Sequence, residues 1–248
     1  MASQRKLTDN QVHLLKLIYK FRFVTVNLLT EYRNQGTSAI HNSLERLLTR
    51  ELIGRRHTNI DIIDRRPARY YLSSKGIKEL KKHIEVNQRL AHSYYKNKSL
   101  SENYVQHCLN IFQVYNNFRI QGGDRFMILT NAEMADYDQF QATQQDLYLQ
   151  DKESNQYLLN IYESTQRFVV EKHIKQHIEH SEDIDWPGGY PDLLLACPSS
   201  RMEEQLVRRF GTHLEDFEIY LTTNKALLDG QTQQIWTDVA EPEKIVEL

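Results

Sequence analysis

Apolar side chains recur at helical spacing three times in the first fifty residues, and then the spacing shortens to that of a sheet. Leu14, Leu17, Ile18 and Phe21 follow Thr8-Asp9-Asn10-Gln11. A Thr hydroxyl and a Gln three residues on can satisfy the free backbone donors of a helix start, so a capped helix is predicted there. A second start at Thr25 carries Val26, Leu28 and Leu29 into a short helix that stops before Asn34-Gln35-Gly36. Thr37 is expected to cap a third helix, on which Ile40, Leu44, Leu47 and Leu48 make one buried stripe. The opposite face then belongs to Ser38, Asn42, Glu45, Arg46 and Thr49, with His41 at its flank.

After Leu52-Ile53-Gly54 the pattern changes. Residues 55–63 and 69–72 read as strands, separated by Asp64-Arg65-Arg66-Pro67-Ala68, a polar turn whose proline cannot join a ladder. A helix opening at Ser73 or Ser74 and running to Lys82 completes residues 1–86 as a winged helix-turn-helix. Residues 84–98 read as a tether or a frayed helix, with Tyr94 and Tyr95 as candidate stacking groups. Within residues 87–122 a linking or dimerisation helix is expected. Ser99-Leu100-Ser101-Glu102 reads as its capping box, and Gly122-Gly123 ends it. One apolar stripe holds Val105, Cys108, Leu109, Phe112 and Tyr115, and a second holds Ile111, Val114 and Phe118. Such a helix must be covered on two sides, by a body domain or by a second copy in a homodimer.

Residues 123–248 mix short apolar runs with helical ones. Strands are expected at 125–130, 157–162, 168–170, 193–196 and 217–221, and helices at 138–146 and 202–210. Residues 132–155, heavy in Gln and Asp, read as mobile surface, and the acidic runs 179–185 and 215–218 as solvated loops. The fold class is therefore α+β: an N-terminal winged helix-turn-helix, a linking helix, and a mixed α/β C-terminal domain.

Charge sharpens this division. Residues 1–98 hold 20 Lys and Arg against 8 Asp and Glu, whereas residues 99–248 hold 11 against 25, so the overall −2 hides a basic head on an acidic body. A basic winged helix is the electrostatic footprint of a nucleic-acid-binding module. The third helix would enter the major groove, and the ribbon would lie along the backbone or minor groove. The candidate contacts are Thr37, Ser38, His41, Asn42, Arg46, Arg50, Arg55, Arg56, Arg65, Arg66, Arg69 and Lys75. Glu45 would be repelled by phosphates unless it accepts from cytosine, and its plainest role is to orient Arg46 or Arg50. Other readings of the head are a solvated charged surface or a protein-docking module.

No run is long and apolar enough to span a bilayer, and Met-Ala-Ser-Gln-Arg-Lys leads into a polar helix, so no membrane association and a cytoplasmic, nucleoid- or plasmid-associated location are expected. Cys108 and Cys197 lie far apart, without a CxxC pair, and read as small buried hydrophobes.

The run Leu44-x-x-Leu47 with Leu52-Ile53-Gly54-Arg55, the phrase Arg66-Pro67-Ala68-Arg69-Tyr70-Tyr71-Leu72-Ser73-Ser74-Lys75-Gly76 leading into Leu80, and the helix around residues 107–119 together resemble the replication-relaxation family. These are winged-helix proteins of plasmids and mobile elements associated with replication or conjugative DNA processing. The resemblance covers roughly residues 8–120, and it implies a second domain similar to the PD-(D/E)xK nuclease fold. In this sequence Pro191-Asp192 precedes an apolar strand and Glu218-Ile219-Tyr220 follows, so Asp192 and Glu218 are the candidate catalytic pair, with magnesium as the implied cofactor of that reading. Tyr220 stands where that motif has Lys, and a phenol carries no positive charge at neutral pH. Without the nuclease reading, no cofactor is expected.

His173, His177 and His180 share a helix face at i, i+4 and i+7 and are the candidate metal ligands, although Ile174 and Ile178 would leave them on the solvent side. The expected function is duplex DNA binding as a replication or relaxosome accessory factor, with the acidic body mediating assembly or recruiting a protein partner. The rivals are a winged-helix transcriptional regulator with a ligand-sensing body and a metal-dependent nuclease targeted by its winged helix.

Overall fold

The computed structural model describes residues 6–57, 59–163, 166–211 and 216–248. Expectations placed on residues 1–5, 58 and 215 lie outside the described residues. The chain divides into two compact units, Met1–Phe112 and Gln113–Leu248. The division falls inside the long helix expected as a linker, so its two halves belong to different units. Among the described residues no helix is long and apolar enough to cross a membrane.

In the first unit, α1 (Asp9–Phe21) opens with the expected capping box: Gln11 N–H donates to the Thr8 hydroxyl, and Thr8 N–H donates to Gln11 Oε1. Helix α2 (Val26–Arg33) is capped by Thr25, which accepts from Leu28 N–H, and Asn34 in the left-handed region ends it. Helix α3 (Thr37–Thr49) starts one residue earlier than expected: Gly36 is its N-cap, and Thr37 is already helical. Leu14, Ile18, Leu29, Ile40, Leu44 and Leu47 are fully buried and bind the three helices into one core.

Strands β1 (Ile53–Arg56) and β2 (Arg69–Leu72) pair antiparallel, Ile53 opposite Leu72. Tyr70 also exchanges both backbone hydrogen bonds with Val24, which adds a one-residue third strand absent from the sequence reading. Residues 55–63 are not one strand. The strand stops at Arg56, and Asn59–Ile63 form a helical turn, α4, because Asp61 is drawn inward to Arg69 and a pleat would have turned alternate residues out. Helix α5 (Ser74–Leu80) begins with Ser73 accepting from Gly76 N–H. A Cβ on Gly76 would stand 1.9 Å from the Leu52 carbonyl oxygen, so only glycine lets α5 approach the strand lead-in this closely.

Residues 84–98 are more ordered than a tether. Helix α6 (Gln88–Tyr94) is capped by Asn87, and a single 3-10 turn follows at Asn97–Ser99. The long helix α7 (Glu102–Gly122) is capped by Ser101, which accepts from Tyr104 N–H, and not by Ser99. In this unit Phe112 of α7 stacks on Phe21 at 3.8 Å. The Arg22 guanidinium lies over the rings of Tyr94 and Tyr104 and donates to Asn97 Oδ1 and the Tyr104 hydroxyl.

The second unit is built on seven strands whose spatial order repeats their chain order: β3 (Met127–Thr130), β4 (Leu147–Gln150), β5 (Gln156–Ile161), β6 (Asp192–Cys197), β7 (Ile219–Thr223), β8 (Trp236–Asp238) and β9 (Ile245–Val246). The first three form an antiparallel meander, β5, β6 and β7 run parallel, and β8 and β9 return antiparallel. A short helix, α8 (Asn131–Met134), follows β3. Crossovers α9 (Arg167–Asp183) and α10 (Ser200–Phe210) join the parallel strands, as parallel pairs require, and α11 (Asn224–Leu228) follows β7. Asn117 of α7 donates to the Leu227 and Leu228 carbonyls in this unit.

In this second unit four of the expected segments differ. Residues 168–170 belong to α9, where Val170, Ile174 and His177 share its buried face. The supposed mobile stretch 132–155 contains β4, with Leu147, Tyr148 and Leu149 buried because neighbours pair on both edges. The helix expected at 138–146 is one 3-10 turn, Asp138–Phe140, followed by buried Thr143 and Gln145 that bond to each other. The acidic run from 179 is the end of α9 as far as Asp183. Both cysteines are buried, and neither forms a disulfide.

Candidate nucleic-acid interface

The face of α3 opposite Ile40, Leu44 and Leu47 presents Thr37, Ser38, His41, Asn42, Arg46 and Thr49 to solvent. Because Gly36 and not Thr37 occupies the N-cap, the Thr37 hydroxyl is not consumed in capping. Thr37, Ser38 and Asn42 make no side-chain hydrogen bond among the described residues, whereas Thr49 bonds back to the Glu45 carbonyl. The face therefore offers short polar side chains at the helix start and a guanidinium farther along, the residue types that reach base edges or phosphates without lifting a helix from a groove.

The predicted cations separate into two groups. Arg46, Arg50 and Arg65 meet no carboxylate among the described residues. The others are paired within the unit: Arg55 with Glu45 at 3.2 Å, Arg66 with Asp64 at 3.1 Å, Lys75 with Glu51 at 3.0 Å, and Arg56 with Glu102 at 3.0 Å. Glu45 thus orients Arg55, not Arg46 or Arg50 as expected, and it also lies 3.9 Å from His41.

Arg69 and Arg56 are corrections. Arg69 is almost fully buried between Asp61 and Glu102, and Arg56, donating to Glu102 and to the Leu100 carbonyl, is largely covered. Both hold the base of the wing to the start of α7 and do not face outward. Tyr94, expected as a stacking group, is also buried, with its hydroxyl donating to the Tyr19 carbonyl; Tyr95 is exposed.

The wing has a defined end. Arg65 N–H donates to the Ile62 carbonyl and Arg66 N–H to the Asp61 carbonyl, the paired bonds of a Schellman motif closing α4. Arg65 sits at the left-handed position of that motif with φ 54°, where glycine is the usual residue. Residues 62–67 are exposed, Ile62 and Ile63 among them. Sequence reasoning missed both this helical turn and the inward role of Asp61. The one signal was an Asp two apolar residues before a basic turn.

In the second unit, Asp192 and Glu218 do come together at the starts of adjacent parallel strands. Asp192 Oδ1 accepts from Glu218 N–H at 2.8 Å. Burial, with Glu218 and Asp238 nearby, pushes the Asp192 carboxyl up to about 6. Tyr220 lies beside the same carboxylates, and burial drives its phenol far above the ordinary range. Among the described residues no three His, Cys, Asp or Glu side chains are grouped to hold a metal ion. With one carboxylate engaged by backbone and no cationic side chain in the Lys position, the donor set does not fit a magnesium-dependent nuclease centre.

His173, His177 and His180 share α9 as expected, but His177 is buried, while His173 and His180 are half-buried at its sides. At 3.6 residues per turn His177 falls on the same side of the helix as Val170 and Ile174, and it is buried with them. The Tyr190 hydroxyl meets His177 Nδ1 at 2.8 Å and His180 Nδ1 at 3.1 Å, and the Tyr162 hydroxyl meets His173 Nδ1 at 3.2 Å. Burial, followed by the neighbouring His180 and His173, pulls His177 down to about 3. Each Nδ1 is engaged by a tyrosine hydroxyl, and among the described residues these histidines are not grouped as a three-ligand metal site.

No family model and no curated protein matches the chain. Among solved structures it is similar to a cysteine-to-serine mutant of Lactococcus lactis ZitR, with 21% identity over 43% of this chain and 70% of that one at a TM-score of 0.29. It is also similar to a cysteine-to-serine mutant of E. coli MarR complexed with operator DNA, with 22% identity over 41% of this chain and 69% of that one, and to a MepR-like protein complexed with pseudoligands, with 23% identity over 47% and 78%, both at 0.29. At that TM-score the likeness is too slight to decide fold or function.

Proposed function

We propose that this protein binds duplex DNA, with α3 in the major groove and the wing on the adjoining backbone or minor groove. The observation that carries this reading is the α3 face, on which Thr37, Ser38, His41, Asn42 and Arg46 are exposed from the second helix of a helix-turn-helix, while Arg46, Arg50 and Arg65 have no carboxylate partner among the described residues. Unneutralised arginines on one unit are what a phosphate row recruits, and each phosphate contact releases counterions. The resemblance of residues 8–120 to the replication-relaxation family supports the finer reading, a replication or relaxosome accessory factor of a plasmid or mobile element. The acidic second unit then serves assembly or a protein partner. The homodimer in this reading needs a surface other than the main α7 stripe, since Val105, Cys108, Leu109, Phe112 and Tyr115 are covered within the chain.

The test is fluorescence anisotropy on duplex DNA across a salt series, followed by footprinting of DNA flanking the native locus. Salt-dependent binding with protection at an origin of transfer or replication supports the full reading. Protection confined to a promoter replaces the accessory role with transcriptional regulation. No binding to duplex at low salt overturns the whole.

A further inference from the structure

We infer that the wing carries an apolar wedge, Ile62 and Ile63, which enters the DNA minor groove and partly unstacks a base step, so that the protein bends the duplex it holds. This rests on the DNA-binding reading above. Ile62 and Ile63 are adjacent in sequence and 60% and 78% exposed. Single exposed apolar residues are ordinary, but two neighbouring isoleucines at the end of a ribbon leave apolar area in water that a partner would remove.

Their backbone is held fixed. Asp61, immediately before them, is clamped to Arg69, and the Schellman bonds from Arg65 and Arg66 close the turn immediately after them. Isoleucine is also stiff about χ1, so little rotamer freedom remains to be lost on insertion.

Charge names the occupant. Arg65, without a carboxylate partner among the described residues, and the exposed Arg66, which shares its charge with Asp64 at 3.1 Å, follow the isoleucines on the same tight turn. An aliphatic tip flanked by guanidinium groups suits a groove about 6 Å wide whose walls are phosphate and whose floor is base edges. Apolar side chains inserted there between base pairs kink the duplex toward the major groove. A second copy of this chain fits poorly, because the two arginine-bearing turns would meet and two isoleucines fall far short of the roughly 800 Å² per partner of a stable interface.

The test uses the full chain and a short mixed-sequence duplex with a fluorophore at each end, supplemented by duplexes carrying 2-aminopurine at successive steps. Wild type is expected to shorten the end-to-end distance and to raise 2-aminopurine fluorescence at one step. Ile62→Ala with Ile63→Ala, an exposed change that leaves the melting temperature in place, should abolish both signals. It should weaken binding by about tenfold, the scale of burying one aliphatic side chain, with an unchanged salt slope. Arg65→Ala should instead lower that slope by about one phosphate contact. If wild type binds without bending, or the double alanine variant bends and binds as wild type does, the wedge is wrong while DNA binding stands. A changed oligomeric state with unchanged bending also overturns it. Failure of wild type to bind duplex removes the underlying reading itself.

Discussion

Arg69 and Asp61 are joined by two parallel N–H···O bonds, Nη1 to Oδ1 and Nη2 to Oδ2, each 3.0 Å long, with the side chains 5% and 4% exposed. The same Nη1 lies 2.9 Å from Glu102 at the start of α7. This contact pins the middle of the residue 57–68 excursion to the first residue of β2, and so it decides that the wing is a turn of helix with a fixed tip instead of a long hairpin.

Breaking that pair should be costly. Asp61→Asn leaves a buried guanidinium short of its main counter-charge and is expected to destabilise the first unit by about 3 kcal/mol, whereas Glu102→Gln, at a carboxylate 45% exposed, should cost under about 1 kcal/mol. Urea unfolding followed by far-UV circular dichroism measures both. Asp61→Leu combined with Arg69→Met should recover most of the loss, because an apolar pair avoids the desolvation of two ions.

Glu45 faces solvent beside the α3 contacts and holds Arg55 at 3.2 Å. Glu45→Gln is expected to strengthen duplex binding on the order of fivefold, equivalent to the ~1 kcal/mol that one charge at contact distance is worth in water. Anisotropy titration at fixed salt checks it. A weaker complex would mean that the carboxylate accepts from a cytosine instead.

Arg65 holds φ 54° at a position suited to glycine. Relief of about 1–2 kcal/mol of left-handed strain, less about 0.5–1 kcal/mol for the added freedom of a glycine in the unfolded chain, predicts that Arg65→Gly stabilises the fold slightly. The same change should weaken DNA binding and its salt dependence. Stability and affinity moving in opposite directions is the signature of strain kept for function, and a joint loss of both would contradict it.

Acid should unfold the second unit through α9. His177 sits at about 3 against an ordinary 6.5, so between those values the unfolded chain binds the extra proton. Stability is then whole above pH 6.5 and falls as pH drops toward 3, by up to roughly 1.4 kcal/mol per unit. His173 and His180 are lowered in the same direction by burial. Asp192 runs the other way. Held at about 6 against 3.8, it destabilises the fold above pH 6 and regains stability as it protonates down to pH 3.8. Urea midpoints from pH 8 to 4 should therefore decline less steeply for His177→Gln, and they should rise at pH 8 for Asp192→Asn, which keeps the oxygen that accepts from Glu218 N–H.

Helix positions in the first unit were legible because each depended on its own local sequence. Thr8 with Gln11, the Ile40, Leu44 and Leu47 stripe, and Ser73 ahead of Gly76 are contacts within one or two turns, and the structure keeps them. The polar face of α3 follows from that stripe by geometry alone, so Thr37, Ser38, His41, Asn42 and Arg46 were readable as a surface.

Which cations remain on that surface was not readable, because charge pairing is a long-range matter. Arg46 and Arg69 are the same residue type in the same basic segment, yet one faces outward and the other is enclosed by Asp61 and by Glu102, which lies far along the chain. The histidines of α9 show the same limit. Their common face was evident from spacing, but its burial against Tyr190 and Tyr162 was not.

The chain's sequence thus determined by itself a basic three-helix head with a ribbon, an α+β body and the outward face of α3, since periodicity and capping act over a few residues. The tertiary structure decided the helical turn in the wing, the inward arginines, the buried His177 and the strand hidden in the polar stretch 132–155, where neighbouring strands supply the hydrogen bonds and cover that local composition did not announce.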